Sequence, residues 1–441
     1  MNFNISVLCK VCGAQTNCRL GLSNRAHQPL RFRCKTCGAP IDVTMTPDFE
    51  ETTCDIQVEG ATQVPSDGFE PGVNFVDLHL DFPVSFAPYQ MGHTPYMMAS
   101  QRIGHEAMGL HAMRVNYLNE VYLASADIKA LFTLYSKGST DLFRNRVWTF
   151  LGKKMPCDTQ LDINRALYFA IEKAFFPFAE PRRNVDAVKA ITQLQMRLAK
   201  KDKASLDAFM TEIVDTGFLR NIQLDCLEVY PRIIDIELML RPALFLDFDR
   251  TYRGHVVPYR VSAHEFNDAK DLFKDMAEIL SRLTVLVAGL NNLNRRGSHN
   301  SFAPAKGAPA SLKEYADWPL GRKLQQIDHS WYRMDANAID NRLRNSIAHY
   351  KAEYDEVTQE LVYYPKQEGL EQATAVRMHF LDFSRKLLEV FRELHRLNHL
   401  TKCLFVYYYL KMLGVSATEI AENDEPDSSE PPPPIAERPG G

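Results

Sequence analysis

The chain has 441 residues, of which 45% are hydrophobic and 24% are charged, and its formal net charge is −4. This length is enough for roughly two to four domains, and the composition is typical of soluble globular proteins. No stretch is apolar for long enough to cross a bilayer, which excludes a membrane channel or transporter. The N-terminus lacks the features of a signal peptide, so we expect a cytoplasmic protein with no membrane partner.

Residues 1–60 are predicted to form a zinc ribbon. Two residues separate Cys9 from Cys12, two separate Cys34 from Cys37, and 21 residues lie between the pairs. A glycine follows each pair and permits the tight turn with which two Cys-x-x-Cys knuckles aim four thiolates at one tetrahedral Zn²⁺. Four cysteine ligands leave no open coordination position, so we expect the zinc to be structural rather than catalytic.

The role of this ribbon stays open on the sequence alone. Residues 1–41 contain six basic residues and no acidic one, and the loop between the cysteine pairs also carries His27 and Phe32. Such a loop is suited to contact with nucleic-acid phosphates. The alternative is a small metal-stapled subdomain whose basic side chains only maintain solubility.

Residues 61–255 begin with short strands and loops and continue as helices. Alternation of apolar and polar residues predicts the strands, and apolar faces at helical spacing predict the helices. His79, His93, His105 and His111 do not have the spacing of metal ligands, and we interpret them as surface or core residues. We assign no chemistry to this region.

Residues 256–415 are predicted to form an antiparallel helical bundle. Its long first and last helices run from about residue 268 to 294 and from about residue 373 to 412, where apolar residues recur at helical spacing. Residues 416–441 contain four consecutive prolines and several acids, which predicts a disordered acidic tail. The expected fold class is therefore mainly α, with a small β zinc ribbon and short strands at the N-terminus.

A helix predicted from about residue 335 to 354 combines an apolar face with an unusually polar opposite side. Asn345 and His349 are four residues apart and share one face. Arg344 projects roughly 140° away from His349 around the helix axis. Arg344 therefore either flanks His349 within one chain or completes a site across a two-fold dimer axis.

These residue types are suited to metal-independent cleavage of RNA. The imidazole of His349 can act as general base on a ribose 2′-hydroxyl or as general acid on the leaving 5′-oxygen. A guanidinium can hold the phosphate and stabilise its developing charge, and Asn345 can orient the histidine or bind a phosphate oxygen. Attack by the 2′-hydroxyl would leave a 2′,3′-cyclic phosphate and would need no catalytic cofactor.

The segment Leu343-Arg-Asn-Ser-Ile-Ala-His349 resembles the signature of the HEPN superfamily, in which an arginine, four to six residues and a histidine lie on a late helix of a helical bundle. The resemblance covers residues 260–415. It implies that Arg344 and His349 are the catalytic pair and that Asn345 is the polar neighbour.

The resemblance also implies an activity and partners. HEPN proteins are mostly dimeric, metal-independent endoribonucleases, and many are toxins or abortive-infection effectors in bacterial defence against phage. The expected partners are RNA, a second copy of the chain bound through the helical bundle, and a regulatory or antitoxin protein. Six residues also separate Arg342 from His349, so Arg342 fits the motif as well, and the sequence does not decide which of the two arginines is catalytic. If Arg344 is catalytic, we assign Arg342 to nucleic-acid binding.

A non-catalytic function is the alternative. In that case the protein is a zinc-ribbon adaptor that binds nucleic acid or protein, and its helical bundle is a dimerisation platform. Arg344 and His349 would then belong to a structural network. The large region without assigned chemistry favours this interpretation.

Overall fold

The computed structural model of the chain describes residues 1–65, 69, 72–252, 258–263, 266–328, 334, 338, 340–348, 352–365 and 375–418. Within these residues helices greatly outweigh strands, which confirms the mainly α prediction. No helix in the described ranges is both long and apolar enough to span a membrane. The predicted acidic tail lies outside the described residues from residue 419 onward.

The N-terminal part of the chain is a β unit of two small sheets, with strand orders β6-β1-β2-β7 and β3-β4-β5. Apolar residues alternate along the strands, so that Phe32, Ile41 and Val43 point into a common core, which continues to Leu80. All neighbouring strands are antiparallel except β2 and β7, which are parallel. The strands are β1 (Asn2–Cys9), β2 (Gln15–Gly21), β3 (Gln28–Arg33), β4 (Pro40–Asp48), β5 (Thr53–Glu59), β6 (Ala61–Val64) and β7 (Asn74–Leu78).

Eight helices follow a short strand, β8 (Val84–Ser85). Local signals explain their ends: Thr159 begins the fourth helix by accepting a hydrogen bond from the Asp162 backbone N–H at 3.1 Å. Gly104, with a φ of +79°, interrupts the first helix with a kink. The helices are α1 (Pro95–Leu123), α2 (Ser125–Ser136), α3 (Thr140–Leu151), α4 (Gln160–Phe175), α5 (Pro181–Lys201), α6 (Lys203–Asp215), α7 (Phe218–Asp235) and α8 (Glu237–Phe245).

Residues 256–415, where the sequence predicted a helical bundle, contain two long helices, α9 and α13, which pack against each other. A single turn of π-helix, Tyr408–Met412, extends α13. The elements are β9 (Tyr259–Arg260), α9 (Phe266–Arg296), α10 (Leu312–Ala316), α11 (Leu320–Leu324), α12 (Asn341–Ala348), β10 (Ala352–Asp355), β11 (Glu360–Tyr363), β12 (Val376–His379) and α13 (Phe380–Tyr407).

Helix α13 is the centre of the helical part. It packs against α4, α5, α7 and α8 as well as α9, and one hydrophobic core contains buried residues from all of these helices. One core therefore contains residues from both sides of the boundary that the sequence suggested near residue 255. Arg392 fixes α13 to the end of α8, because its buried guanidinium donates to the Asp247 carboxylate at 3.0 and 2.6 Å and to the Phe178 carbonyl at 2.9 Å.

The polar helix predicted to reach residue 354 is shorter than expected, because Ala352–Asp355 is strand β10 of the antiparallel sheet β10-β11-β12. Strand β12 likewise occupies residues that the sequence assigned to the start of the last helix. The sheet forms because Leu361 and Tyr363 alternate into the core, and Tyr354 stacks on Phe266 with ring centroids 4.4 Å apart.

Candidate functional site

The two cysteine pairs lie on two equivalent turns at the ends of β1 and β3. In the first turn the Gly13 N–H donates to the Cys9 carbonyl at 2.9 Å, and in the second the Gly38 N–H donates to the Cys34 carbonyl at 2.8 Å. Gly13 and Gly38 have φ values of +68° and +74°, in the left-handed region that glycine adopts most readily. The glycines predicted to permit the knuckles therefore do so.

The turns bring the four cysteine side chains together, with all Sγ atoms within 4.8 Å of one another. The Cys9 and Cys37 sulfurs are 3.7 Å apart, and those of Cys12 and Cys34 are 3.6 Å apart. Four sulfurs held about 2.3 Å from one tetrahedral ion lie about 3.8 Å from each other. The cluster is therefore of the right size to hold a metal ion such as zinc, and its sulfurs are too far apart for disulfides.

The thiols of the cluster ionise unequally. A hydrogen bond from the Cys12 backbone N–H, only partly opposed by burial, lowers the pKa of Cys9 to about 7. The Ala39 backbone N–H favours the Cys37 thiolate, but burial and the three neighbouring cysteines outweigh it and raise the pKa of Cys37 to about 12. Crowded thiolates repel one another, and a divalent cation removes this penalty on binding.

The basic residues of the ribbon are largely engaged in ion pairs. Two of these pairs are buried, and they join the ribbon to strand β7 and to helix α8. The cations therefore serve mainly to attach the ribbon to the rest of the protein, which favours the subdomain interpretation over phosphate contact. The pairs are Arg19 with Asp77, Arg25 with Glu237, Arg31 with Asp42, and Arg33 with Glu356.

Helix α12, which carries the arginine motif, is anchored at both ends. The Asp340 carboxylate caps its start by accepting from the Leu343 N–H at 2.9 Å, and it also pairs with Lys386 of α13 at 3.0 Å. Leu343 and Ile347 are buried where α12 packs on α9 and β11. The Ser346 hydroxyl donates to the Tyr364 carbonyl at 2.8 Å, which ties the helix to the end of β11.

The polar side of α12 brings two of the predicted site residues into contact. Half-buried Arg344 forms an ion pair with Glu278 of α9 and donates to the Asn345 side-chain oxygen at 2.9 Å. Arg342 is exposed and makes no ion pair within the part of the chain that the structure describes. His349 lies outside the described residues, so its place relative to either arginine stays a prediction.

A second cluster of potential metal ligands, which was not predicted from the sequence, is formed by Glu172, His395 and His399. The two histidines are four residues apart in α13, within the range predicted for the last long helix, so the sequence could have shown that they share one helix face. Glu172 has no such signal, because it comes from α4 and meets the histidines only through tertiary packing.

Comparison of the chain with protein-family models, with curated proteins and with solved structures finds no match.

Proposed function

We propose that this protein is a HEPN-type, metal-independent endoribonuclease that acts as a toxin or abortive-infection effector in bacterial defence against phage. The observation that carries the proposal is the Arg-Asn-x-x-x-His motif, whose first two residues lie on a short helix that packs on α9 and whose cap residue Asp340 pairs with Lys386 of α13. A rigidly held helix is what a catalytic arginine needs in order to meet a phosphate in one geometry.

In this proposal His349 takes the proton of the ribose 2′-hydroxyl or gives one to the leaving 5′-oxygen. The guanidinium of Arg344 stabilises the negative charge that develops on the phosphate. Asn345, which already accepts a hydrogen bond from Arg344, keeps that guanidinium oriented. Cleavage leaves a 2′,3′-cyclic phosphate and a free 5′-hydroxyl.

The environments of the two arginines support a division of roles. Arg344 is paired with Glu278, so an incoming phosphate must compete with a carboxylate for it. Arg342 is exposed and forms no ion pair with any residue that the structure describes, so it is available for a first contact with RNA. We therefore assign Arg344 to catalysis and Arg342 to RNA binding.

The rest of the chain fits the same proposal as support and regulation. The four-cysteine cluster would hold a structural Zn²⁺, because four thiolates in two knuckles suit that ion and leave no open position. The protein would act in the cytoplasm as a homodimer formed through the helical bundle, and a regulatory or antitoxin partner would restrain it.

The decisive experiment compares the wild type with His349→Ala, Arg344→Ala and Arg342→Ala on a labelled RNA in the presence of EDTA. We expect the first two variants to lose cleavage and Arg342→Ala to weaken RNA binding while it retains turnover. Arg377→Ala is the matched control, because Arg377 is an exposed arginine of β12 that pairs only with Glu360 among the described residues. Equal cleavage by the wild type and His349→Ala, or no cleavage by either, would refute the proposal.

One observation favours the non-catalytic alternative, in which the bundle is a binding platform. The Glu278–Arg344–Asn345 contacts are those of a structural network between α9 and α12. If Arg344→Ala lowers the melting temperature by several degrees and the wild type binds RNA without cutting it, the adaptor function is correct. Unchanged melting with loss of cleavage supports the nuclease.

A further inference from the structure

Three side chains with metal-binding atoms meet between α4 and α13. Glu172 near the end of α4 and His395 and His399 of α13 each offer one ligand atom, and these atoms lie within 4.8 Å of one another. His395 follows Lys386, the α13 residue that contacts α12, by nine residues, which is about 14 Å along a helix. The cluster is thus separate from the site proposed for RNA.

The geometry of the cluster is that of a helical metal site. Histidines four residues apart project from the same helix face and can bind one ion together. Their ring centroids are 5.1 Å apart, and the rings meet edge to face. The His399 Nε2 atom is 3.5 Å from a carboxylate oxygen of Glu172, so the neighbouring helix supplies a third ligand to the same point.

Burial keeps both imidazoles in the form that binds metals. His395 is 2% exposed and His399 is 7% exposed. Burial disfavours the charged imidazolium, which is the form that cannot bind a metal. A neutral imidazole has the nitrogen lone pair that a metal ion requires.

A supporting hydrogen bond orients His395. The Tyr230 hydroxyl is 3.0 Å from Nδ1 of His395, and the Asn398 amide donates to the same hydroxyl at 2.9 Å. When Nδ1–H donates to the Tyr230 oxygen, Nε2 carries the free lone pair. Metal-binding histidines are usually held in this way by a partner on their second nitrogen.

Two cations, Arg396 and Lys402, lie near the cluster, and Arg396 is paired with Glu393. Among the described residues the Glu172 carboxylate pairs with His399 and with no lysine or arginine. Lys402 is half-buried with its ammonium 5.7 Å from the Tyr168 ring, and its long chain allows the charge to move towards solvent. A divalent ion would supply the counter-charge that the Glu172 carboxylate lacks.

We propose that Glu172, His395 and His399 bind a divalent transition metal ion, for which Zn²⁺ is the natural probe. Two imidazoles and a carboxylate suit Zn²⁺, Co²⁺ or Ni²⁺ rather than Mg²⁺ or Ca²⁺, which prefer all-oxygen sites. Three protein ligands leave a coordination position for water, and the 53% exposed side chain of Glu172 opens the site to solvent. This inference does not rest on the proposed ribonuclease activity.

The test is a count of bound metal in the full-length protein. Purified protein is saturated with Zn²⁺, dialysed and analysed by mass spectrometry of the metal, and its Co²⁺ form is examined by absorption. We expect two ions per chain: one gives the thiolate-to-cobalt band of the four-cysteine cluster, and the second adds only the weaker cobalt bands typical of nitrogen and oxygen ligands.

Substitutions identify the second site. Glu172→Gln should weaken the second ion at least about tenfold without affecting the fold, because the side chain is mostly exposed, and His399→Ala should abolish it. Glu228→Gln, an exposed residue of α7, is the matched control and should keep both ions. One ion per chain in the wild type overturns the inference, as does a second ion that binds equally well to Glu172→Gln and the wild type.

Discussion

Replacement of Arg241 by methionine should be among the most destabilising single changes in this protein. Arg241 lies in α8 and is 0% exposed. Its guanidinium donates to Asp81 at 2.8 Å, to Glu237 at 2.8 Å and to Asn119 at 2.6 Å. Arg25 of the ribbon also pairs with Glu237, so this network joins the β unit to the helical part.

The magnitude follows from which charge is left unpaired. Methionine retains most of the packing volume, and Arg25 still neutralises Glu237, so Asp81 is the carboxylate that loses its cation. Removal of one partner from a buried ion pair costs about 3–5 kcal/mol, and we expect a loss near about 3 kcal/mol because one of the two carboxylates stays paired. A change of this size is a large part of the stability of an ordinary domain.

The effect should depend on pH in a defined direction. Burial alone would raise the pKa of Asp81, but Arg241 outweighs it and lowers that pKa in the folded protein. In the wild type this carboxylate therefore adds stability above its unfolded pKa, and that stability is lost as the pH falls. In Arg241→Met burial prevails and raises the pKa of Asp81, so the deficit should be full at neutral pH and shrink on acidification.

The assay is urea unfolding followed by circular dichroism at neutral and mildly acidic pH. Arg232→Met is the matched control, because Arg232 pairs with Asp275 at the surface and should cost at most about 1 kcal/mol. Adding Asp81→Asn to Arg241→Met should recover part of the loss. A deficit below about 1 kcal/mol, or one that grows as the pH falls, would show that this network does not stabilise the fold as argued.

Three further predictions concern the ribbon and α12. Cys37→Ser should weaken Co²⁺ binding and reduce the thiolate-to-cobalt absorption band, because one of the four thiolates is lost. It should leave the helix content by circular dichroism unchanged, because the ribbon and the helices have separate cores. Glu278→Gln should strengthen RNA binding in a filter-binding assay by at most about fivefold, since its ion pair with Arg344 is half-exposed and is worth about 1 kcal/mol or less; weaker binding would contradict competition between Glu278 and phosphate. Leu343→Ala should lower the free energy of unfolding by about 2–5 kcal/mol, because the side chain is fully buried beneath α12, and a loss below about 1 kcal/mol would show that the helix is not anchored by its apolar face.

The features that the sequence predicted best depend on nearby residues. The Cys-x-x-Cys-Gly turns are set by a few adjacent residues and are present as expected, with glycines in the left-handed region. The long helix α9 begins and ends within two residues of the prediction, because its apolar periodicity persists over many turns. The polar helix was predicted too long, because its extension competes with pairing to β11, a contact between separate segments that periodicity does not report.

The sequence by itself determined the cysteine cluster, the mainly helical fold and the choice of Arg344, Asn345 and His349 as a candidate motif. Only the tertiary structure decided that Arg344 meets Glu278 and that Glu172 joins the histidine pair of α13. The physical reason is the separation of the interacting residues along the chain. Turns and helix faces follow from neighbouring residues, whereas the partner of a charge depends on which helices pack together. That packing is driven by non-directional burial of apolar surface, which does not specify in the sequence which polar groups will meet.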